Sequence, residues 1–274
     1  MKTWLLIDVN YLGYRALYST GKLSYKGMST GVIFGILKSV FQFQKLFKAT
    51  NLVWCFDFGP NKRKDIYKGY KGNRKTNPDI EDMKEQITFL RKRLKKNFLN
   101  VFYSDGFEAD DKIAQAIAAI RQDAANMSDK IVIISADHDM YQLLTPYVSV
   151  YDPRASFEMT YKVFVTKYEI KPKQWVKVKA VAGCTTDNVK GAMGIGEKTM
   201  ARFIAGKLVK QSKAYDKIIE FMDSKKYKKN RRVIKLPLDK TQLSKRIHRD
   251  EVFSVIGEEW FKVCEGTGIN VTKW

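Results

Sequence analysis

Three short runs are apolar at every position: residues 4–7, 52–56 and 131–134, each bounded by turn-forming residues. Unbroken rather than alternating hydrophobicity over four or five residues reads as a strand covered on both faces, the condition of a parallel sheet. Between the first two runs, Val32, Ile33, Ile36, Leu37, Val40, Phe41 and Phe47 mostly follow a 3.6-residue period. That spacing predicts a helix over about 28–48 with one face on the sheet. A second helix, over about 108–125, aligns Ile113, Ala116, Ile117 and Ile120 before the third run. Strand, helix, strand, helix, strand predicts an α/β layer architecture with a mixed, mainly parallel central sheet flanked by helices. After Tyr151 the pattern becomes mostly helical, over 173–183 and 197–205, with a glycine-rich turn between. A boundary near 152 divides the chain into residues 1–151 and 152–274.

Composition adds a partner to this picture. The 274 residues are 45% hydrophobic and 13% aromatic, enough for a sizeable core and too apolar for a disordered basic tail. Lys and Arg number 50 against 29 Asp and Glu, a net charge of +21 that calls for a polyanion. Residues 60–97 hold 13 basic and 5 acidic residues and interrupt the strand–helix rhythm; residues 207–274 hold 17 and 9. Insertions of this length are usually functional. Three cysteines without Cys-x-x-Cys spacing argue against a disulfide framework or structural zinc and for a reducing, cytoplasmic setting. No apolar run approaches the roughly 20 residues of a membrane span. With only two histidines, His138 and His248, most His-dependent hydrolytic schemes are excluded.

Aspartates follow each apolar run: Asp8, Asp57 and Asp137. If the strands are parallel, these carboxylates converge at one edge, where open α/β sheets place ligands. Asp139, two residues on, points the same way if the chain is still extended. Glu108, Asp110 and Asp111 open the second helix, and Asp187 precedes the glycine-rich turn. Each has an ordinary structural reading, as a helix cap or a complement to the helix dipole. Together in one cleft they would hold protons or repel unless a cation neutralised them. All-oxygen donors suit Mg²⁺ or Mn²⁺ over zinc, and an acidic pocket in a basic protein suggests metal-assisted attack on a phosphodiester.

The ordered strings Leu5-Leu6-Ile7-Asp8, Tyr70-Lys71-Gly72-Asn73-Arg74, Phe107-Glu108-Ala109-Asp110-Asp111, Ser135-Ala136-Asp137-His138-Asp139 and Asp187-Asn188, then Gly194-Ile195-Gly196-Glu197-Lys198-Thr199, resemble the flap endonuclease/5′-nuclease family. That family includes bacteriophage 5′ to 3′ exonucleases, phage enzymes of ribonuclease H type and polymerase-associated 5′-nuclease domains. The resemblance covers residues 4 to about 206. It implies a PIN-like core, an arch over 60–97 and a helix-hairpin-helix type motif at 184–206 within a DNA-binding region. It further implies two-metal hydrolysis of branched or 5′-ended DNA, as in primer or flap removal. Carried over by residue, Asp8, Asp57, Glu108, Asp110, Asp111 and Asp137 surround the first ion, and Asp139 and Asp187 hold the second with Asp137. Lys71 and Arg74 contact the scissile phosphate, where growing negative charge rewards nearby cations.

Tyr67 and Tyr70 are expected to stack on an unpaired base, and Arg15 to contact a phosphate. Gly194, Gly196, Lys198 and Thr199 would grip duplex backbone, with K⁺ as an ion the family seats at such a turn. This turn is no P-loop: Glu197 adds a residue before Lys198-Thr199, and no strand precedes it. Lys62 to Lys64 and Arg91 to Lys96 read as solvated basic surface. One departure is plain: the family has aspartate where this chain has Cys184, so the second ion is expected to bind more weakly. The expected protein is a monomeric, Mg²⁺-dependent nuclease of the cytoplasm, or host cytoplasm if phage-encoded. DNA is its partner, with RNA·DNA hybrids and replication proteins as further candidates. The alternatives are a ribonuclease acting on RNA or hybrids, and a non-catalytic binder of DNA junctions.

Overall fold

The computed structural model describes residues 2–98, 100–239, 243, 247–248 and 262–270. Strand β1 (Thr3–Asp8) passes directly into helix α1 (Val9–Thr20). A hairpin of β2 (Ser24–Tyr25) and β3 (Met28–Ser29) leads to α2 (Gly31–Phe47) and β4 (Asn51–Cys55). Next come α3 (Arg63–Ile66), α4 (Pro78–Asn97), β5 (Val101–Phe102), α5 (Ala109–Gln122) and β6 (Lys130–Ile134). Strands β7 (Val148–Asp152) and β8 (Phe157–Met159) precede a mainly helical stretch: α6 (Tyr161–Tyr168), α7 (Trp175–Ala182), a small hairpin of β9 (Gly183–Cys184) and β10 (Val189–Lys190), α8 (Glu197–Ile204), α9 (Lys213–Asp223) and α10 (Lys225–Ile234). Among the described residues, no helix is long and apolar enough to cross a membrane.

Six strands form one sheet in the order β5-β4-β1-β6-β7-β8, parallel throughout except for the antiparallel β7–β8 pair. The architecture is the expected mixed, mainly parallel α/β. Side chains alternate between two cores. Leu5, Ile7, Leu52, Trp54, Val132 and Ile134 join α1, α2 and α4 on one face. Trp4, Leu6, Val53, Cys55, Ile131 and Ile133 join α5 and the later helices on the other. Continuous apolar runs are thus explained by burial on both faces. The sheet continues past residue 151 into β8, so the domain boundary expected there cuts through a single sheet.

Helix α2 starts at Gly31 rather than 28, because Met28 and Ser29 pair with Tyr25 and Ser24. The α1–α2 crossing is close: a Cβ at Gly31 would lie 1.9 Å from the Thr20 carbonyl oxygen, and one at Gly35 would lie 2.6 Å from Ala16 Cβ. The larger part of the expected arch is docked on the core. Met83, Ile87, Leu90 and Leu94 bury one face of α4. Gln86 Oε1 accepts from the Val32 and Ile33 N–H groups at 2.9 and 3.3 Å, serving donors that the first turn of α2 leaves open. Nor is the Arg91 to Lys96 stretch simply solvated: Arg91 lies over the Phe58 and Tyr103 rings at 4.3 and 4.8 Å, and Leu94 is buried.

Candidate active site

Because β1, β4 and β6 run parallel, their carboxyl ends share one edge, and the carboxylates collect there. Asp8 ends β1 and caps α1, its Oδ1 accepting from the Tyr11 N–H at 2.9 Å and its Oδ2 from the Ser135 hydroxyl at 3.1 Å. Asp57 lies two residues beyond β4 and accepts from the Ala109 N–H at 2.8 Å, which ties it to the start of α5. Asp137 follows β6 and caps the 3₁₀ turn His138–Leu143, accepting from the Asp139 N–H at 2.8 Å. Asp139 therefore reaches the site through a capped turn rather than an extended chain. Asp187 comes from the β9–β10 connection. One oxygen each from Asp137, Asp139 and Asp187 lie within 4.8 Å of one another.

Crowding shows in the proton affinities. Burial, reinforced by Asp57 and Asp137, pushes Asp8 up to about 7. Burial and the nearby Asp137 push Asp139 up to about 7, with Lys179 offsetting part of the effect. Asp57 and Asp110 are likewise raised by burial, Asp57 then by Glu108 and Asp110 then by Asp137 and Asp8. Several hard oxygens, held close and short of positive charge, form a donor set that fits oxygen-preferring divalent cations.

Glu108 behaves differently. Burial pushes it up, but Lys71 and Arg63 outweigh that and hold it below the usual carboxylate range. The Lys71 ammonium sits on Glu108 Oε1 and lies 4.0 Å from Asp187 Oδ1, to which Arg74 donates at 2.9 Å. The Lys71 backbone is left-handed, with φ +53°, and its N–H donates to the Asp187 carbonyl at 2.9 Å. A cavity of about 270 Å³ opens between these cations, Asp57 and Glu108.

Two expected site residues have other tasks. Tyr70 is 4% exposed, and its hydroxyl donates to Glu108 Oε2 at 2.9 Å, so it orients carboxylates and has no face free for a base. Asp111 is fully buried and takes the two terminal Arg63 nitrogens at 2.6 and 2.9 Å. As the third helical residue it also accepts from the Glu108 N–H, completing a capping box. Arg63, expected on the solvated surface, is 2% exposed; it also donates to the Val233 carbonyl at 2.9 Å and lies 3.0 Å from Glu108. The pattern also gives no notice of Lys179. Its buried ammonium lies 3.2 Å from Asp139 Oδ1 and 3.0 Å from Glu197 Oε1, joining the carboxylate edge to the head of α8.

Cys184 lies beside the trio, its sulfur 3.6 Å from Asp187 Oδ2. Burial and Asp187 push its thiol up to about 11, so it brings no negative charge at neutral pH. The glycine-rich turn meets the carboxylate edge through Glu197 and Lys179, while Gly194 (φ +78°), Gly196 and Lys198 are exposed and Thr199 is half-buried at the start of α8. Helices α7 and α8 flank it with the β9–β10 hairpin between them. Gly183 is required at the hairpin: its φ is +81°, and a Cβ would meet the Gly191 nitrogen and Val189 oxygen at 2.5 Å. Arg15 is exposed on α1 and donates to the Ser39 hydroxyl at 3.1 Å.

Known proteins share the sequence pattern and the fold. DNA polymerase I of Thermus thermophilus is 30% identical over 249 residues, covering 89% of this chain and 28% of the polymerase. Bacillus subtilis DNA polymerase I is 30% identical over 254 residues, covering 90% and 27%. The chain thus spans just over a quarter of the length of these relatives. Among solved structures, T5 5′-exonuclease with bound divalent zinc ions has a TM-score of 0.68 at 22% identity, covering 86% of this chain and 90% of that one. The catalytic core of Rad2 in complex with DNA substrate has a TM-score of 0.56 at 14% identity, covering 99% and 89%. These two structures share the fold. The sequence model of the 5′-3′ exonuclease N-terminal resolvase-like domain matches residues 3–177, and the chain belongs to that exonuclease family.

Proposed function

We propose that this protein is a structure-specific 5′-nuclease that hydrolyses phosphodiester bonds of branched or 5′-ended DNA in replication, using two Mg²⁺ ions. The observation that carries this reading is the convergence of Asp137, Asp139 and Asp187 within 4.8 Å, beside two cations already poised on Glu108 and Asp187. Asp137, Asp139 and Asp187 would hold one ion, and Asp8, Asp57, Glu108 and Asp110, with Asp137, the other. When bound, such cations acidify a water for attack and neutralise charge on the phosphoryl and leaving oxygens.

The chain's own residues supply the rest. Ser135 and the Tyr11 N–H hold Asp8 in place, while the Ala109 N–H fixes Asp57. Lys71 and Arg74 line the cavity with ammonium and guanidinium donors, which turn from carboxylates to the scissile phosphate when substrate enters. Tyr70 keeps Glu108 oriented as Lys71 leaves it. The glycine-rich turn between α7 and α8 offers backbone N–H groups to duplex phosphates, a shape-based grip without base reading, and would be the seat of a K⁺ ion.

Cleavage of an end-labelled 5′-flap DNA with and without Mg²⁺ tests the reading. The expected result is a Mg²⁺-dependent cut near the junction. Asp137→Ala should abolish it while leaving flap binding in Ca²⁺ within about threefold. Tight binding by the wild type without any Mg²⁺-dependent turnover would replace the nuclease by a junction-binding protein.

A further inference from the structure

Helix α10 has two unlike faces. Tyr227, Asn230, Val233 and Ile234 turn inward, and Asn230 Nδ2 donates to the Ala180 and Lys190 carbonyls at 2.9 and 3.1 Å, which holds the helix against α7 and β10. Lys225, Lys228, Lys229 and Arg232, at spacings that share a helix face, are exposed on the outside. With Ile66 and Tyr67 they enclose an open groove of about 540 Å³ that no carboxylate lines among the described residues. Like charges at these spacings destabilise a helix unless an anion lies across them.

The groove adjoins the turn that carries Lys71 into the candidate active site. The Tyr67 carbonyl accepts from the Tyr70 N–H at 2.8 Å, and Tyr70 and Lys71 both reach Glu108. The Tyr67 ring is half-buried at this end, with Lys229 Nζ 5.4 Å from its centre. At the other end Lys226 is shared with a second groove, lined by Ala192 and Met193 of the glycine-rich turn. Lys217 and Glu220 also line that second groove, so the purely basic stretch is the one along α10 beside Tyr67.

We propose that the groove between α10 and residues 66–67 seats the single-stranded part of the 5′ strand next to the cut. Its phosphates lie against Lys225, Lys228, Lys229 and Arg232, and one unstacked base lies on Tyr67. This rests on the nuclease reading above. A single strand is favoured over duplex because an aromatic ring rewards only a base with a free face, which a stacked helix does not offer.

The test compares two junctions that differ only in a single-stranded 5′ arm, with binding measured in Ca²⁺ for wild type, Lys228→Glu/Lys229→Glu, Lys228→Gln/Lys229→Gln and Tyr67→Ala. The charge-reversed variant should bind the armed junction at least about tenfold more weakly and the armless one within twofold. The neutral variant should lower the salt slope on the armed junction by roughly 0.7 for each phosphate it no longer neutralises. Equal weakening on both junctions by the neutral variant would make α10 part of a duplex footprint and overturn the proposal, as would unchanged binding of the armed junction by all three variants. A wild type that cuts neither junction in Mg²⁺ would remove the nuclease reading itself. Cutting by wild type with unaltered variant affinities would remove this proposal alone.

Discussion

Replacing Arg63 by methionine keeps the bulk of the side chain and deletes its charge. Asp111 then loses two hydrogen bonds of 2.6 and 2.9 Å and, among the described residues, retains the Glu108 and Leu238 N–H donors, at 3.2 and 2.7 Å. The carboxylate has no exposure to water, so its charge stays largely uncompensated. Removing one member of a buried pair typically costs about 3–5 kcal/mol. The two surviving donors place the expected loss near the lower end, about 3 kcal/mol. With a urea m-value of roughly 3 kcal/mol/M, the unfolding midpoint should fall by about 1 M. Equilibrium unfolding followed by circular dichroism measures this directly. Arg63→Met/Asp111→Asn should recover part of the loss, because the amide carries no charge and its single oxygen still accepts from one of the two N–H groups, Leu238 or Glu108. A loss below about 1 kcal/mol, or a double variant no better than the single, would refute the reasoning.

Cys184→Asp adds a carboxylate beside the trio; the metal concentration for half-maximal cleavage should fall several-fold, and an unchanged titration would show that the thiol position does not limit ion binding. Because Asp8 and Asp139 bind protons up to about pH 7, divalent ion binding should release more protons at pH 6.5 than at pH 8.5; calorimetry in buffers of different ionisation heat measures the difference. Glu197 is half-buried, which raises its proton affinity, but His138 and Lys179 outweigh this and hold it at about 2 against an ordinary 4.5. Its folded pKa is depressed, so its contribution is full above about pH 4.5 and fades as pH falls towards 2. The stability gap between wild type and Glu197→Gln should shrink over that window, and a gap independent of pH would contradict the assignment.

The sheet and its acidic edge are legible in the sequence because both leave local marks. Burial on two faces makes the interiors of β1, β4 and β6 continuously apolar, and parallel strands carry the residues at their carboxyl ends to one edge, so Asp8, Asp57 and Asp137 announce themselves. The ion pairs are not legible. Arg63 sits between Lys62 and Lys64, and nothing local separates it from them; its partner Asp111 is 48 residues away. Asp111 looks like its neighbours Glu108 and Asp110, yet one helical position turns it from the cleft into the core. Tyr70 misleads for the same reason: a tyrosine among glycines and lysines suggests a surface, and only the fold brings Glu108 over its hydroxyl. Lys179 lies in a helix whose pattern permits either face, and its two anions come from separate segments.

The buried guanidinium acts as a clasp between stretches of chain that are remote in sequence. Arg63 holds the Val233 carbonyl, and Asp111 receives the Leu238 N–H, so α3, the head of α5 and the turn after α10 meet at one charge pair. Lifting any one of them strands an ion in an oily interior, a penalty that falls on the opening of each alike. These three segments therefore behave as a single cooperative unit, with local fraying suppressed next to the carboxylates and the strand-bearing helix α10 anchored to the same unit.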